Sequence, residues 1–184
     1  RMKKVCVLGL GYIGLPTSVI LAKSGYNVTG VDTNKDIVKG INNGMSHINE
    51  PGLEELIEKL VCQKVLFAST KPSFADVFIV AVPTPFEKSN TSIPKPNISF
   101  VIDAVKSIVP YLKKDNLIIL ESTSPIGTTE KISEMIFKNT GFDSNQIFIN
   151  YCPERVLPGA IIKELVENDR VIGGITKEME FYEE

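Results

Sequence analysis

One stretch constrains the fold of this chain more than any other. It is GLGYIG, residues 9–14, set directly behind the apolar run Val5-Cys6-Val7-Leu8. In a G-x-G-x-x-G turn the first glycine (Gly9) permits a tight reversal, and the second (Gly11) lets the backbone approach a pyrophosphate. The third (Gly14) lets the following helix pack on the strand. A helix that starts there offers unpaired amides and the positive end of its dipole to an anion. The spacing alone is weak, but here it has its required context. A strand pattern precedes it over residues 5–8, and a helical pattern follows over 13–24 with Pro16 tolerated in the first turn. A second strand over 27–31 then ends at Asp32, 18 positions beyond Gly14. An acid about 20 residues after such a turn binds the ribose hydroxyls of a dinucleotide. Gly9, Gly11, Tyr12, Ile13, Gly14 and Asp32 are therefore candidate cofactor residues. A carboxylate at position 32 repels a 2'-phosphate, and neither Thr33 nor Asn34 adds positive charge, which favours NAD over NADP. Lys35 lies close enough to the adenosine end to matter.

The rest of the chain repeats the alternation. Strands are expected at 65–68, 77–82, 117–120 and 147–151, and apolar residues at 98, 101, 102, 105, 108, 109 and 112 mark one face of a helix that Pro110 kinks or ends. Strands alternating with helices predict an α/β fold: a doubly wound parallel sheet of the Rossmann type, covered on both faces. At 184 residues this is a single domain, expected over residues 1–176. The longest polar loop, residues 85–97, follows the fourth strand directly.

Composition narrows the function. Twenty Lys and Arg against 22 Asp and Glu leave a net charge of -2, so nucleic acid is not an expected partner. No apolar run approaches the roughly 20 residues that cross a bilayer. The start of the chain reads as a strand rather than a signal peptide. Three cysteines, at 6, 62 and 152, form neither a pairing framework nor a metal spacing, which fits a reducing cytoplasm with no metal.

Further candidates stand at the carboxyl ends of later strands. In a doubly wound sheet the order reverses between the first and fourth strands, so their ends border one crevice. AVPTPF, residues 81–86, puts Pro83 and Thr84 there, although a rigid strand exit explains the same residues equally well. ESTSPIGTTE, residues 121–130, offers the Thr123 hydroxyl in a connecting turn, while Thr128 or Thr129 reads as a helix cap. YCPERVLPG, residues 151–159, crowds a thiol, an acid and a base into one loop. Without a nearby His, Cys152 reads as a small packed residue, and Cys6 and Cys62 read the same way. His47 reads as a loop residue.

VLGLGYIGLPT, AVPTPF, ILESTSPIGTTE, YCPERVLPG and NDRVIGG, in that order, resemble the nucleotide-sugar 6-dehydrogenases, a family that includes UDP-glucose and GDP-mannose dehydrogenases. The resemblance runs from about Val5 to Thr176. It implies an enzyme that oxidises C6 of a UDP-sugar from alcohol to acid while reducing two NAD. It also implies roles: Glu154 and Thr123 catalytic, the first as acid or base and the second beside the nicotinamide. Thr84 and Lys35 become cofactor contacts. The family's thiol nucleophile belongs to a Gly-Gly-His-Cys segment that this sequence lacks. The chain is thus expected to be an amino-terminal portion, inactive alone, with residues 177–184 starting the connection onward and homodimers expected only of the full-length protein. Where UDP-glucose dehydrogenases commonly carry a second glutamate, this chain has Pro158, a pattern resembling members that act on N-acetylated UDP-sugars such as UDP-N-acetyl-D-mannosamine. UDP-N-acetylglucosamine and UDP-glucose remain alternatives, as does a stand-alone NAD-sensing module. Arg155 is then a candidate for a substrate phosphate or carboxylate, or equally a surface partner of Glu154 or Glu164.

Overall fold

The computed structural model of the chain describes residues 3–86, 96–154 and 156–174. Strand β1 (Lys4–Leu8) lies at the centre, flanked by β2 (Asn27–Val31) and β4 (Val77–Val80). The sheet has the order β3-β2-β1-β4-β5-β6-β7, with β3 at Leu66–Ser69, β5 at Asn116–Leu120, β6 at Ile147–Tyr151 and β7 at Gly173–Gly174. Strands β1 to β6 pair in parallel, as expected of a doubly wound sheet, and the order reverses between β1 and β4. The sheet is not parallel throughout. Strand β7 runs antiparallel to β6, with Tyr151 opposite Gly173.

The apolar runs are continuous because both faces are covered. Side chains alternate across a strand. Val5 and Val7 therefore enter one core with Leu15, Val19, Leu53 and Ile57, beneath α1 (Gly14–Lys23), α2 (Lys35–Asn42) and α3 (Leu53–Cys62). Cys6 and Leu8 enter the other, with Phe78, Val101, Val105, Ile132 and Ile136, beneath α4 (Ser99–Ile108) and α5 (Thr128–Thr140). Each fully buried aliphatic side chain contributes about 1.5–3 kcal/mol. A short helix, α6 (Ile161–Glu167), packs beside α1.

Several boundaries move. The fourth strand stops at Val80, two residues early, and β3 is shifted one residue along from 65–68. Pro110 does end the helix: α4 closes at Ile108 and a single 3-10 turn, Val109–Tyr111, follows. The cap of α5 is Gly127, in the left-handed region at φ +86° with no side-chain hydrogen bond. Thr128 and Thr129 are thus the first helical residues rather than caps. Cys6 and Cys152 are buried as expected, but Cys62 is exposed, because the last residue of α3 lies off its apolar face. At the base of the polar loop, Phe86 bridges Pro96 and the Asn97 amide donates to the Pro85 carbonyl at 2.7 Å; residues 87–95 lie outside the described residues. The domain limit expected at 176 falls outside them too.

Candidate functional site

The register sets three groups side by side at the carboxyl edge of the sheet. Leu8 is level with Val31 of β2 and Val80 of β4, so Gly9, Asp32 and Ala81 leave the sheet together. The Gly9 amide donates to Val31 and the Ala81 amide to Leu8, both at 2.8 Å. Gly9 has φ +91°, and a Cβ there would sit 2.6 Å from the Ala81 carbonyl. At Gly14 a Cβ would collide with the Gly9 carbonyl and press on the Ala81 side chain at 3.2 Å. Its role is therefore to close the turn on itself as well as to pack on a strand. A Cβ at Gly11 would meet nothing within 4 Å, so the backbone there lies open to an approaching group. Helix α1 begins with neither a side-chain cap nor an acid in its first turn. This is the open, uncompensated amide end a pyrophosphate needs.

Asp32 is held on both oxygens. Oδ2 accepts the Leu10 amide at 3.0 Å and Oδ1 accepts the Asn34 amide at 2.9 Å. The Asn34 side chain in turn caps α2, accepting from Asp36, and Lys35 is the exposed first residue of that helix. Leu8, Gly9, Gly11, Asp32, Thr33 and Pro83 line one cleft of about 590 Å³, closed on the far side by Phe100 and Ser107 of α4. This is the crevice expected between the first and fourth strands. Tyr12, Ile13, Gly14, Lys35 and Thr84 are not among its lining residues; Tyr12 and Lys35 are exposed and Thr84 is half-buried.

The turn after β5 presents Thr123 by fixing its neighbours. The Ser122 hydroxyl donates to the Val82 carbonyl at 2.7 Å, and the Ser124 amide donates to the Tyr151 hydroxyl at 3.2 Å. Thr123 lies exposed between them. One strand further along, β6 delivers Glu154, whose carboxylate is no solvated loop acid. Its side chain is only 4% exposed, and its Oε2 lies 2.7 Å from Nη2 of Arg170. Nη1 of the same guanidinium is 3.3 Å from Oε1 of Glu121, whose side chain is 3% exposed. The Thr17 hydroxyl donates to the other Glu121 oxygen at 3.3 Å. Glu154 and Arg170 also line a separate cleft of about 360 Å³ with Pro153, Asn168 and Asp169.

Charge in this cluster follows from burial and proximity. Burial pushes the Glu121 carboxyl above its ordinary range; Arg170 pulls it back, by charge and by hydrogen bond, and neighbouring Glu154 raises it again. Burial likewise pushes the Cys152 thiol up, opposed by Arg170 at 4.0 Å. For Arg170 burial disfavours the charge, but Glu154 foremost, with Cys152 and Glu121, lifts its pKa above the usual value. Cys152 is a packed thiol held off ionisation.

Arg155 lies outside the described residues, and Glu164 uses its carboxylate to accept the Leu157 amide at 2.7 Å. Sequence reading assigned no part to Arg170 or Glu50. The only sign of the first was its place in NDRVIGG, and of the second its place in INEPG, residues 48–52. Buried Glu50 accepts the amides of Gly159 at 2.8 Å and Ile161 at 2.6 Å, fixing the loop that follows Glu154. Among the described residues no group of three His, Cys, Asp or Glu side chains is placed to hold a metal, and no helix is long and apolar enough to cross a membrane.

A parallel sheet with a glycine turn after its central strand, an anchored acid after the next, and the cleft at the order reversal define a dinucleotide-binding domain. The chain belongs to the UDP-glucose/GDP-mannose dehydrogenase family, whose NAD binding domain it matches over residues 3–183. It is 50% identical to the UDP-N-acetyl-D-mannosamine dehydrogenase of Campylobacter jejuni, over 99% of this chain and 46% of that protein. It is 44% identical to the NDP-N-acetyl-D-galactosaminuronic acid dehydrogenase of Ralstonia nicotianae, over 95% of this chain and 42% of that one. The native structure of the UDP-N-acetyl-mannosamine dehydrogenase from Staphylococcus aureus superposes with a TM-score of 0.89 at 47% identity, over 95% of this chain and 42% of that structure. The chain thus spans less than half the length of these relatives.

Proposed function

We propose that this domain is the cofactor-holding part of an NAD-dependent UDP-sugar 6-dehydrogenase acting on UDP-N-acetyl-D-mannosamine. The observation that carries the cofactor half is Asp32, anchored through both oxygens beside the glycine turn with lone pairs left for two ribose hydroxyls. The open Gly11 backbone and the amide end of α1 hold the pyrophosphate, with Tyr12, Ile13 and Gly14 shaping the same turn. Lys35 lies at the adenosine end, and Pro83 and Thr84 continue the crevice toward β5. When bound, NAD supplies the hydride acceptor. Thr123 stands beside the nicotinamide, and Glu154 takes the proton of the C6 hydroxyl as C6 is oxidised. Arg155 is the residue assigned to a substrate phosphate or carboxylate.

Identity to dehydrogenases of N-acetylated nucleotide sugars, together with Pro158 in place of a second acid, supports an N-acetylated substrate over UDP-glucose. A cytoplasmic location, which the three free cysteines fit, goes with this reading, as does a homodimer for the longer protein.

The test is calorimetric titration of the domain with NAD and NADP. NAD is expected to bind, NADP to bind at least about tenfold more weakly, and Asp32→Ala to lose NAD binding while still melting cooperatively. Equal binding of both cofactors would refute the role given to Asp32. The substrate is tested with the protein expressed from its complete reading frame. UDP-N-acetyl-D-mannosamine should give NADH faster than UDP-N-acetylglucosamine or UDP-glucose.

A further inference from the structure

Glu154 is not the only charged group at its end of the sheet, and its orientation is not its own. A guanidinium is planar, and its N–H groups point in fixed directions. Here one terminal nitrogen meets Glu154 at 2.7 Å and the other meets Glu121 at 3.3 Å. The second carboxylate is itself pinned by the Thr17 hydroxyl of α1, a residue 104 positions away in the chain. The Glu154 amide also points at the Glu121 carbonyl, 3.5 Å away, so the two acids share a backbone register as well as an arginine. Removing the guanidinium would leave two buried carboxylates adjacent, and repulsion would move whichever is freer. Glu121 is the more firmly held of the two, because it directly follows β5 in the interior of the sheet and also accepts the Thr17 hydroxyl, whereas Glu154 sits on the loop after β6.

We propose that Arg170 is the positioning residue for Glu154: the chain Thr17–Glu121–Arg170 sets the plane of the Glu154 carboxylate at the mouth of its cleft. The proposal rests on the reading of Glu154 as acid or base. Arg170 touches no reacting atom; it acts through Glu154 alone. This separates it from an ordinary structural ion pair, whose loss would lower stability without a selective effect on turnover.

The experiment uses the protein expressed from its complete reading frame, with NADH formation from UDP-N-acetyl-D-mannosamine as the readout. Arg170→Met is expected to lower kcat by about 100-fold, the scale of a misaimed acid–base group, with KM for NAD within about threefold. Arg170→Lys restores charge but not the fork and should recover no more than about tenfold of that loss. In a Glu154→Gln background Arg170→Met should cost less than about threefold more, since there is no carboxylate left to aim. A full second loss in that background, or a kcat within about threefold of wild type for Arg170→Met alone, would overturn the proposal. A Glu154→Gln variant as active as wild type would instead sink the reading of Glu154, and the proposal with it. If Arg170→Met does not fold, Thr17→Val serves. It removes only the hydroxyl that pins Glu121 and should lower kcat about three- to tenfold, an effect absent in the Glu154→Gln background. Equal losses in both backgrounds would again refute the proposal.

Discussion

The Glu50 carboxylate accepts the amide of Ile161, 111 residues further along the chain, at 2.6 Å. With the second bond to Gly159 at 2.8 Å, one buried acid from the connection between α2 and α3 ties down the loop joining Glu154 to α6. The short helix has no side-chain cap of its own, so Glu50 supplies from a distance what a local Ser or Asp usually supplies. Glu50→Ala should lower unfolding free energy in urea by about 3 kcal/mol, and Glu50→Gln, which keeps a single accepting oxygen, by about half that. Hydrogen exchange should show the Gly159 and Ile161 amides losing protection before the sheet amides do.

Glu121 gives the stability a pH dependence of definite sign. Its folded pKa lies above the unfolded value, chiefly through burial. Between the two values the folded state keeps a proton that the unfolded state has released, so this contribution is complete below the unfolded pKa and is lost as pH rises through the folded one. Glu121→Gln removes the cost of ionising there. Relative to wild type, its melting temperature should rise progressively as pH climbs above the ordinary carboxylate range. A difference that stays flat or falls would show that Arg170 fully compensates the burial.

The three thiols should separate by reactivity with a thiol reagent. Cys62 is exposed and should react at once. Cys6, whose pKa burial pushes up to about 11, and Cys152, also raised by burial, should react only on unfolding. Fast labelling of Cys152 would mean that the cluster around Arg170 opens in solution.

Gly14→Ala tests the glycine turn by adding a single methyl to one of its candidate cofactor residues. Its methyl would run into the Gly9 carbonyl, so the turn must open. The expected cost is about 1–3 kcal/mol in stability, with NAD affinity reduced at least about tenfold. Gly11→Ala has free space and should keep the stability while obstructing only the approaching ligand.

The first half of the fold was legible because its signals are local. Strand β1, the glycine turn, α1 and β2 follow one another within 28 residues, Lys4 to Val31, and each carries its own periodicity. Strand β7 was not legible: two glycines show no alternation, and their pairing with Asn150 and Tyr151 is set by where α6 leaves the chain. The site divides in the same way. Asp32 is close enough to its turn to be found by spacing. Arg170 is 49 residues from Glu121, and Glu50 is 109 from Gly159, so only the folded sheet brings these pairs together. Cys62 misled because an apolar helix end does not say which way its last residue faces.

Asp32 meets any ligand already oriented. With an amide on each oxygen, its side chain loses its rotational freedom when the domain folds, so binding need not freeze it again. The arrangement is also unforgiving. A glutamate at position 32 keeps the charge but is one methylene too long to meet both the Leu10 and Asn34 amides, so the replacement that looks mildest on paper would return the carboxylate to a search among rotamers.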